Sequence, residues 1–348
     1  MSTKYFGNIA HVLKVSDYAF KEAILAIAVK TSTPRQILIH LLAFRGATGP
    51  LIGLILLCIF LSFTSEAFFS LRNFLNILDQ ISVIGIMAVG MTFVILIGGI
   101  DLSVGSILAL SAMVMGYLAN HAGIPLPIAM LFALMAASIA GLTSGLLVTL
   151  FSVPAFIATL AMMSVARGLA SMITNGEQIV GFPAWFNLLA VIRYGGFLTV
   201  TVAVMLIVFL LGWLFLRYRP GGRSLYAIGG NSEVARLAGI DVKWRTISVY
   251  AISGFLSGLA GIVLAARLDA VQPSSGTGYE LDTIAAVVIG GTSLSGGSGG
   301  IAGTLVGVMI IGVLRNGLNL LNVSPFTQSV VIGVVIALAV ATEAFRKK

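Results

Sequence analysis

The sequence predicts an all-α, polytopic membrane protein, a bundle of about ten transmembrane helices with both termini in the cytoplasm. Three observations carry this. Of 348 residues, 58% are hydrophobic and 9% charged, against about 25% charged in a soluble domain, and the mean hydropathy is +1.07. The apolar residues come in long runs, and about 20 residues suffice to cross a bilayer. The basic residues are clustered in the N-terminal tail, in 217–245 and in Arg346-Lys347-Lys348, and every lysine belongs to these clusters. The net charge of +8 therefore points to topology control rather than to nucleic acid, because the charges flank apolar segments. A single cysteine, Cys58, excludes an intrachain disulfide and a cysteine metal cluster.

Residues 1–45 read as a cytoplasmic tail. They hold Lys4, Lys14, Lys21, Lys30, Arg35 and Arg45 against Asp17 and Glu22. The apolar runs Tyr18 to Val29 and Ile37 to Phe44 are too short to span. They form either helices lying on the membrane surface or a disordered tail. No short apolar core with a small-residue cleavage site marks a signal peptide.

Residues 46–348 form the transmembrane domain. Spans are expected near 49–66, 77–98, 102–119, 126–150, 154–174 and 197–217. After the polar segment 218–245 come 246–266, 281–295, 301–321 and 325–343. Pro125, Pro127, Pro154 and Pro325 stand where helices start, a position that tolerates proline. The segment 281–295 is short and rich in Gly and Ser, so it reads as a broken or re-entrant span. An even number of crossings on each side of 218–245 puts the three basic clusters on one face. The outer loops then carry Glu66, Asp79, Glu177, Asp269, Glu280 and Asp282. Arg167 and Arg315, inside apolar runs, are read as snorkelling to the interface.

Gly98-Gly-Ile-Asp-Leu-Ser-Val-Gly-Ser106 contains the only charged residue between Asp79 and Arg167. A carboxylate at a helix centre costs about 2.5–3.5 kcal/mol on insertion scales. Asp101 is either a transport group or a cap. Gly98 and Gly99 let the chain turn, and Asp101 or Ser103 can cap the next helix. The topology places the turn at or near the cytoplasmic end of a tight connection. Gly290-Gly-Thr-Ser-Leu-Ser-Gly-Gly-Ser298 resembles this stretch, a match that chance explains in a chain with 40 glycines. Within 218–245, Ser232 is placed to cap a helix over Glu233 to Ala238, with Gly239 closing it. Such a helix is too short to stand alone. The segment is an ordinary basic loop or a coupling element for a partner.

Three stretches carry a resemblance. Ala227-Ile-Gly-Gly-Asn-Ser-Glu-Val-Ala-Arg-Leu-Ala-Gly-Ile240, Gly98 to Ser106, and Gly276-Thr-Gly-Tyr-Glu-Leu-Asp-Thr-Ile-Ala-Ala-Val-Val-Ile-Gly-Gly-Thr-Ser-Leu-Ser-Gly-Gly297 look like the ribose-type sugar permeases of bacterial ABC importers. Pro154 to Leu160 and Asn316 to Leu321 fit as well, and the resemblance covers roughly residues 70–343. It implies a half-transporter in the bacterial inner membrane, a permease carrying ribose or a related monosaccharide. Its implied partners are a second permease, identical or related, a cytoplasmic ABC ATPase, a periplasmic sugar-binding protein, and membrane lipid.

In that reading Gly229, Gly230, Asn231, Glu233, Ala235, Arg236, Gly239 and Ile240 form the ATPase-coupling loop. Gly98, Gly99, Asp101, Ser103, Gly290, Gly291 and Thr292 line the pathway or break helices, and Tyr279, Glu280 and Asp282 meet the binding protein. No catalytic residue, metal or resident cofactor is expected, since ATP belongs to the partner. The glycine-rich 290–300 stretch lacks the lysine and the strand-to-helix setting of a phosphate loop. His11, His40 and His121 are too scattered for a metal site. The alternatives are an independent secondary transporter or channel, for which Asp101 is the one candidate coupling carboxylate, and a membrane enzyme, for which no catalytic cluster is visible.

Overall fold

The computed structural model describes residues 48–346, and the expected tail 1–45 lies outside the described residues. Gly49–Lys348 is one compact unit. Its helices, in order, are α1 (Thr48–Thr64), α2 (Leu71–Leu96), α3 (Val104–Asn120), α4 (Leu126–Leu150), α5 (Ala155–Met172), α6 (Ala184–Val191), α7 (Val200–Tyr218), α8 (Pro220–Gly230), α9 (Ser232–Leu237), α10 (Val242–Leu268), α11 (Tyr279–Ile289), α12 (Ile301–Leu320) and α13 (Pro325–Arg346). Two short strands, β1 (Ile179–Val180) and β2 (Ala270–Val271), pair antiparallel with Ile179 opposite Val271.

Among the described residues six helices, α2, α4, α5, α7, α10 and α12, are long and apolar enough to cross a membrane. Shorter apolar helical stretches cover 49–64, 104–120 and 325–338. The expected span 281–295 holds only the 11-residue α11, about 16 Å long, followed by a non-helical glycine-rich segment to Gly300, the form expected of a broken span. Helix starts follow local chemistry. Ser70, Thr199 and Asp241 accept backbone N–H bonds at the starts of α2, α7 and α10. Pro125 and Pro154 sit at the N-caps of α4 and α5, and Pro220 is the first residue of α8.

The core is built around α2 and α10, and α10 packs along α4, α2 and α3. From Ile81 to Leu96 every residue of α2 is buried, as expected of a helix apolar on all sides. Lipid gives no hydrophobic drive for helix association, so close approach through small residues must supply packing. A Cβ on Gly141 would lie 3.0 Å from the Gly254 Cα, and one on Gly254 only 2.4 Å from the Ala137 carbonyl oxygen. Polar pairs add to this: Asn73 and Asn316 exchange side-chain hydrogen bonds of 3.0 and 2.9 Å, and the Thr92 and Thr304 hydroxyls lie 2.7 Å apart.

Asp79, expected in an outer loop, is inside α2 instead. Its carboxylate holds Arg193 at 2.5 Å and accepts from Thr199 at 2.9 Å. The helix begins six residues before the expected span because Ser70 caps it and Asn73 gains buried partners.

Candidate functional site: two helix breaks beneath a short surface helix

Asp101 lies in the break between α2 and α3 and is fully buried. One carboxylate oxygen accepts from the Ser103 backbone N–H at 3.0 Å and the Ser103 hydroxyl at 2.6 Å. The other accepts from the Ser253 hydroxyl at 2.8 Å. Asp101 does steady the start of α3, but through Ser103, whose own side chain makes no capping bond. Ser253 stands eleven residues into α10, about 16 Å along its axis. The tight connection between α2 and α3 is thus packed against the middle of α10. Tyr250 holds the same break: its hydroxyl donates to the Ile100 carbonyl at 3.4 Å and packs on Gly99, where a Cβ would lie 2.5 Å from it.

The second break, 290–300, follows α11. Gly291 adopts φ +90°, as Gly98 adopts +78° after α2. The two segments meet. The Gly297 N–H donates to the Leu96 carbonyl at 2.9 Å, and a Cβ on Gly296 would lie 2.8 Å from the Gly98 nitrogen. Thr292 is buried with no partner for its hydroxyl among the described residues. The sequence match of the two segments sets Gly98 against Gly290, whereas the left-handed turns pair Gly98 with Gly291. The one-residue offset agrees with chance similarity.

The polar segment 218–245 holds two helices. The expected short helix is α9, bounded as Ser232–Leu237. Its cap is Asn231, not Ser232: the Asn231 side chain accepts from the Glu233 and Val234 N–H groups, both at 3.0 Å. Gly239 closes it at φ +84°, with Ile240 N–H bonded to Ala235 and Gly239 N–H to Arg236, the paired pattern of a Schellman motif. The Glu233 carboxyl is held below its ordinary range by the Arg236 guanidinium beside it. Ala235 is 3% exposed and packed inside the chain, while Val234 and Leu237 are 60% and 73% exposed. The surface that α9 offers is therefore Val234 and Leu237, and Ala235 positions the helix from below.

Before it, α8 was not evident in the sequence, because four glycines in eleven residues weaken any helix. It forms because Pro220 starts it and Leu225 and Ile228 bury one face. A Cβ on Gly229 would lie 1.9 Å from the Leu96 carbonyl oxygen and 2.4 Å from the Gly297 nitrogen. Gly229 thus touches both breaks with bare backbone. Gly230, the last residue of α8, is exposed.

The remaining predicted residues separate from this cluster. Asp282 is 2% exposed and paired with Arg315 at 2.5 Å. It is not an exposed docking residue, and Arg315 does not snorkel. Both corrections have one cause, the long-range partner each supplies to the other. Glu280 is half-buried: it accepts from Gly278 N–H at 3.2 Å and lies against Gly105. Tyr279 is half-buried too. Arg167 is half-buried and donates to the carbonyls of Pro273 and Ser275 in the loop before α11. Its partners lie over a hundred residues away, beyond any local sequence signal.

Residues 73–340 match the family model described as branched-chain amino acid transport system / permease component. The ribose import permease protein of Bacillus subtilis is 46% identical over 313 residues, 89% of this chain and 96% of that protein. That of Escherichia coli K12 is 48% identical over 298 residues, 84% and 92% of the two chains. The D-allose transport system permease protein of the same strain is 40% identical over 290 residues, 83% and 88% of the two chains. No solved structure matches. The chain, a multi-pass membrane protein with its helices broken at two glycine-rich sites, belongs to the branched-chain amino acid transport system permease family.

Proposed function

We propose that the chain is the permease subunit of an ATP-driven ABC importer that carries ribose or a related monosaccharide across the bacterial inner membrane. In this reading it crosses the bilayer about ten times with both termini in the cytoplasm. Residues 46–348 form the permease and 1–45 a cytoplasmic tail. A second permease, identical or related, completes the pathway, an ATPase subunit binds on the cytoplasmic face, and a periplasmic sugar-binding protein delivers the sugar. ATP is bound and hydrolysed by the ATPase, and this chain needs no cofactor of its own.

The observation that carries the reading is the outward face of α9. Val234 and Leu237 are large, apolar and exposed in a polar segment, on a helix of six residues. Burying each is worth about 1.5–3 kcal/mol, and a helix this short needs a surface to dock on. A groove on the ATPase supplies both. The sugar follows from the relatives, which are ribose and D-allose permeases. On the opposite face, the half-buried Tyr279 and Glu280 lie beside exposed Gln272, Ser274, Thr277 and Leu281, which form the docking edge for the binding protein in place of Asp282.

The test is uptake of labelled ribose into proteoliposomes holding this chain with its cognate ATPase and binding protein. Accumulation that requires ATP and both partners supports the reading. Gradient-driven uptake by the chain alone would overturn it in favour of a secondary transporter.

A further inference from the structure

Resting on that reading, we infer that α8, through Gly229 and Tyr226, carries the ATPase stroke directly onto the two helix breaks. The exposed helix α9 is the grip, and α8 is the link that positions the two breaks.

Four contacts carry this. Gly229 sits against the Leu96 carbonyl and the Gly297 N–H, which hydrogen-bond to each other. A Cβ on Gly297 would lie 3.0 Å from the Gly230 nitrogen, and one on Gly296 lies as close to the Gly229 Cα. The Tyr226 hydroxyl donates to the Gly299 carbonyl at 3.1 Å. Burial pushes the Tyr226 phenol above its ordinary range, so this donor keeps its proton at neutral pH. The break after α2 and the break after α11 are therefore clamped to one short helix, backbone on backbone.

Such contacts transmit displacement well. A side chain can rotate out of a contact, whereas a backbone pressed on a backbone moves only with its whole segment. The same α8 continues through Asn231 into α9, so a pull on Val234 and Leu237 reaches Gly229 within about eight residues of chain. The unpartnered Thr292 hydroxyl lies in the segment that would shift, where a new partner would satisfy it.

The experiment compares the ratio of sugar transported to ATP hydrolysed in proteoliposomes holding the complete complex. Gly229→Ala forces its Cβ into the Leu96 carbonyl and should lower that ratio about tenfold or more, while the ATPase stays bound and hydrolyses ATP. Tyr226→Phe removes one hydrogen bond without changing shape and should lower it about two- to fivefold. Gly168→Ala, whose Cβ meets nothing within 4 Å, should leave it at the parental value. An unchanged ratio in Gly229→Ala overturns the inference. Should Gly229→Ala fail to retain the ATPase, Tyr226→Phe decides, and a parental ratio there overturns it. If the parental complex itself moves no sugar with ATP, the importer reading fails instead, and the two failures are distinct.

Discussion

Both oxygens of Asp101 are occupied by donors from Ser103 and Ser253, and a fully buried group is judged by what its removal leaves unpaired. Asp101→Asn keeps one oxygen for Ser103 and turns an amide toward the Ser253 hydroxyl, which can rotate to accept. Its cost in thermal unfolding of the detergent-solubilised chain should be under about 1 kcal/mol. Asp101→Ala orphans buried donors and should cost about 1–3 kcal/mol. A complete loss of transport in Asp101→Asn, with normal assembly, would instead give the carboxylate a direct part in transport. Asp282 poses the same question with a charge left behind. Asp282→Asn leaves the Arg315 guanidinium without its partner and should cost about 3 kcal/mol. That is the low end for a broken buried pair, because the Arg315 side chain is only partly buried. The double variant Asp282→Leu, Arg315→Met should recover most of that loss, and a double-mutant cycle on unfolding reads the difference.

At the scale of the element, α9 separates docking from packing. Leu237→Asp alters an exposed side chain, so it should abolish copurification of the ATPase while leaving the melting temperature of the isolated chain unchanged. Ala235→Glu forces a carboxylate into the chain interior and should lower that melting temperature. Asn231→Ala removes two capping bonds and should weaken the helix by about 1 kcal/mol, read as weaker ATPase association. The Glu233–Arg236 pair adds a pH dependence. Glu233 titrates below its ordinary value when folded, so its contribution is complete at neutral pH and is lost as pH falls through the folded-state value. ATPase association should therefore weaken only on the acid side of the ordinary carboxylate range, and Glu233→Gln should remove that step. The site of α9 was legible in the sequence because Gly239 and the short polar insert mark it. Its cap was not, since Asn231 and Ser232 are both good capping residues and only the backbone geometry chooses between them. Nor was α8, whose glycines argue against a helix until the breaks they must touch are in place.

For the whole molecule, hydropathy and proline placement located most of the helices, because lipid imposes length and apolarity one segment at a time. What single segments do not encode is which helices press together and what surrounds a break. The surroundings of Asp101 depend on Ser253, and the fates of Arg167, Asp282 and Arg315 depend on partners from distant segments. Glycines show the limit most clearly, since forty of them look alike in sequence and differ wholly in space. The same substitution should therefore have opposite signs at two sites. Gly254→Ala places a Cβ 2.4 Å from the Ala137 carbonyl oxygen, so α4 and α10 must separate. The loss should be about 1–3 kcal/mol, the usual cost of overpacking. Gly53→Ala lies on α1 where a Cβ meets nothing within 4 Å, and only helix propensity changes, a gain of up to about 1 kcal/mol. Thermal unfolding of both variants in one detergent checks the pair. Equal effects at the two sites would mean that the α4–α10 contact is not the close backbone approach on which the core depends.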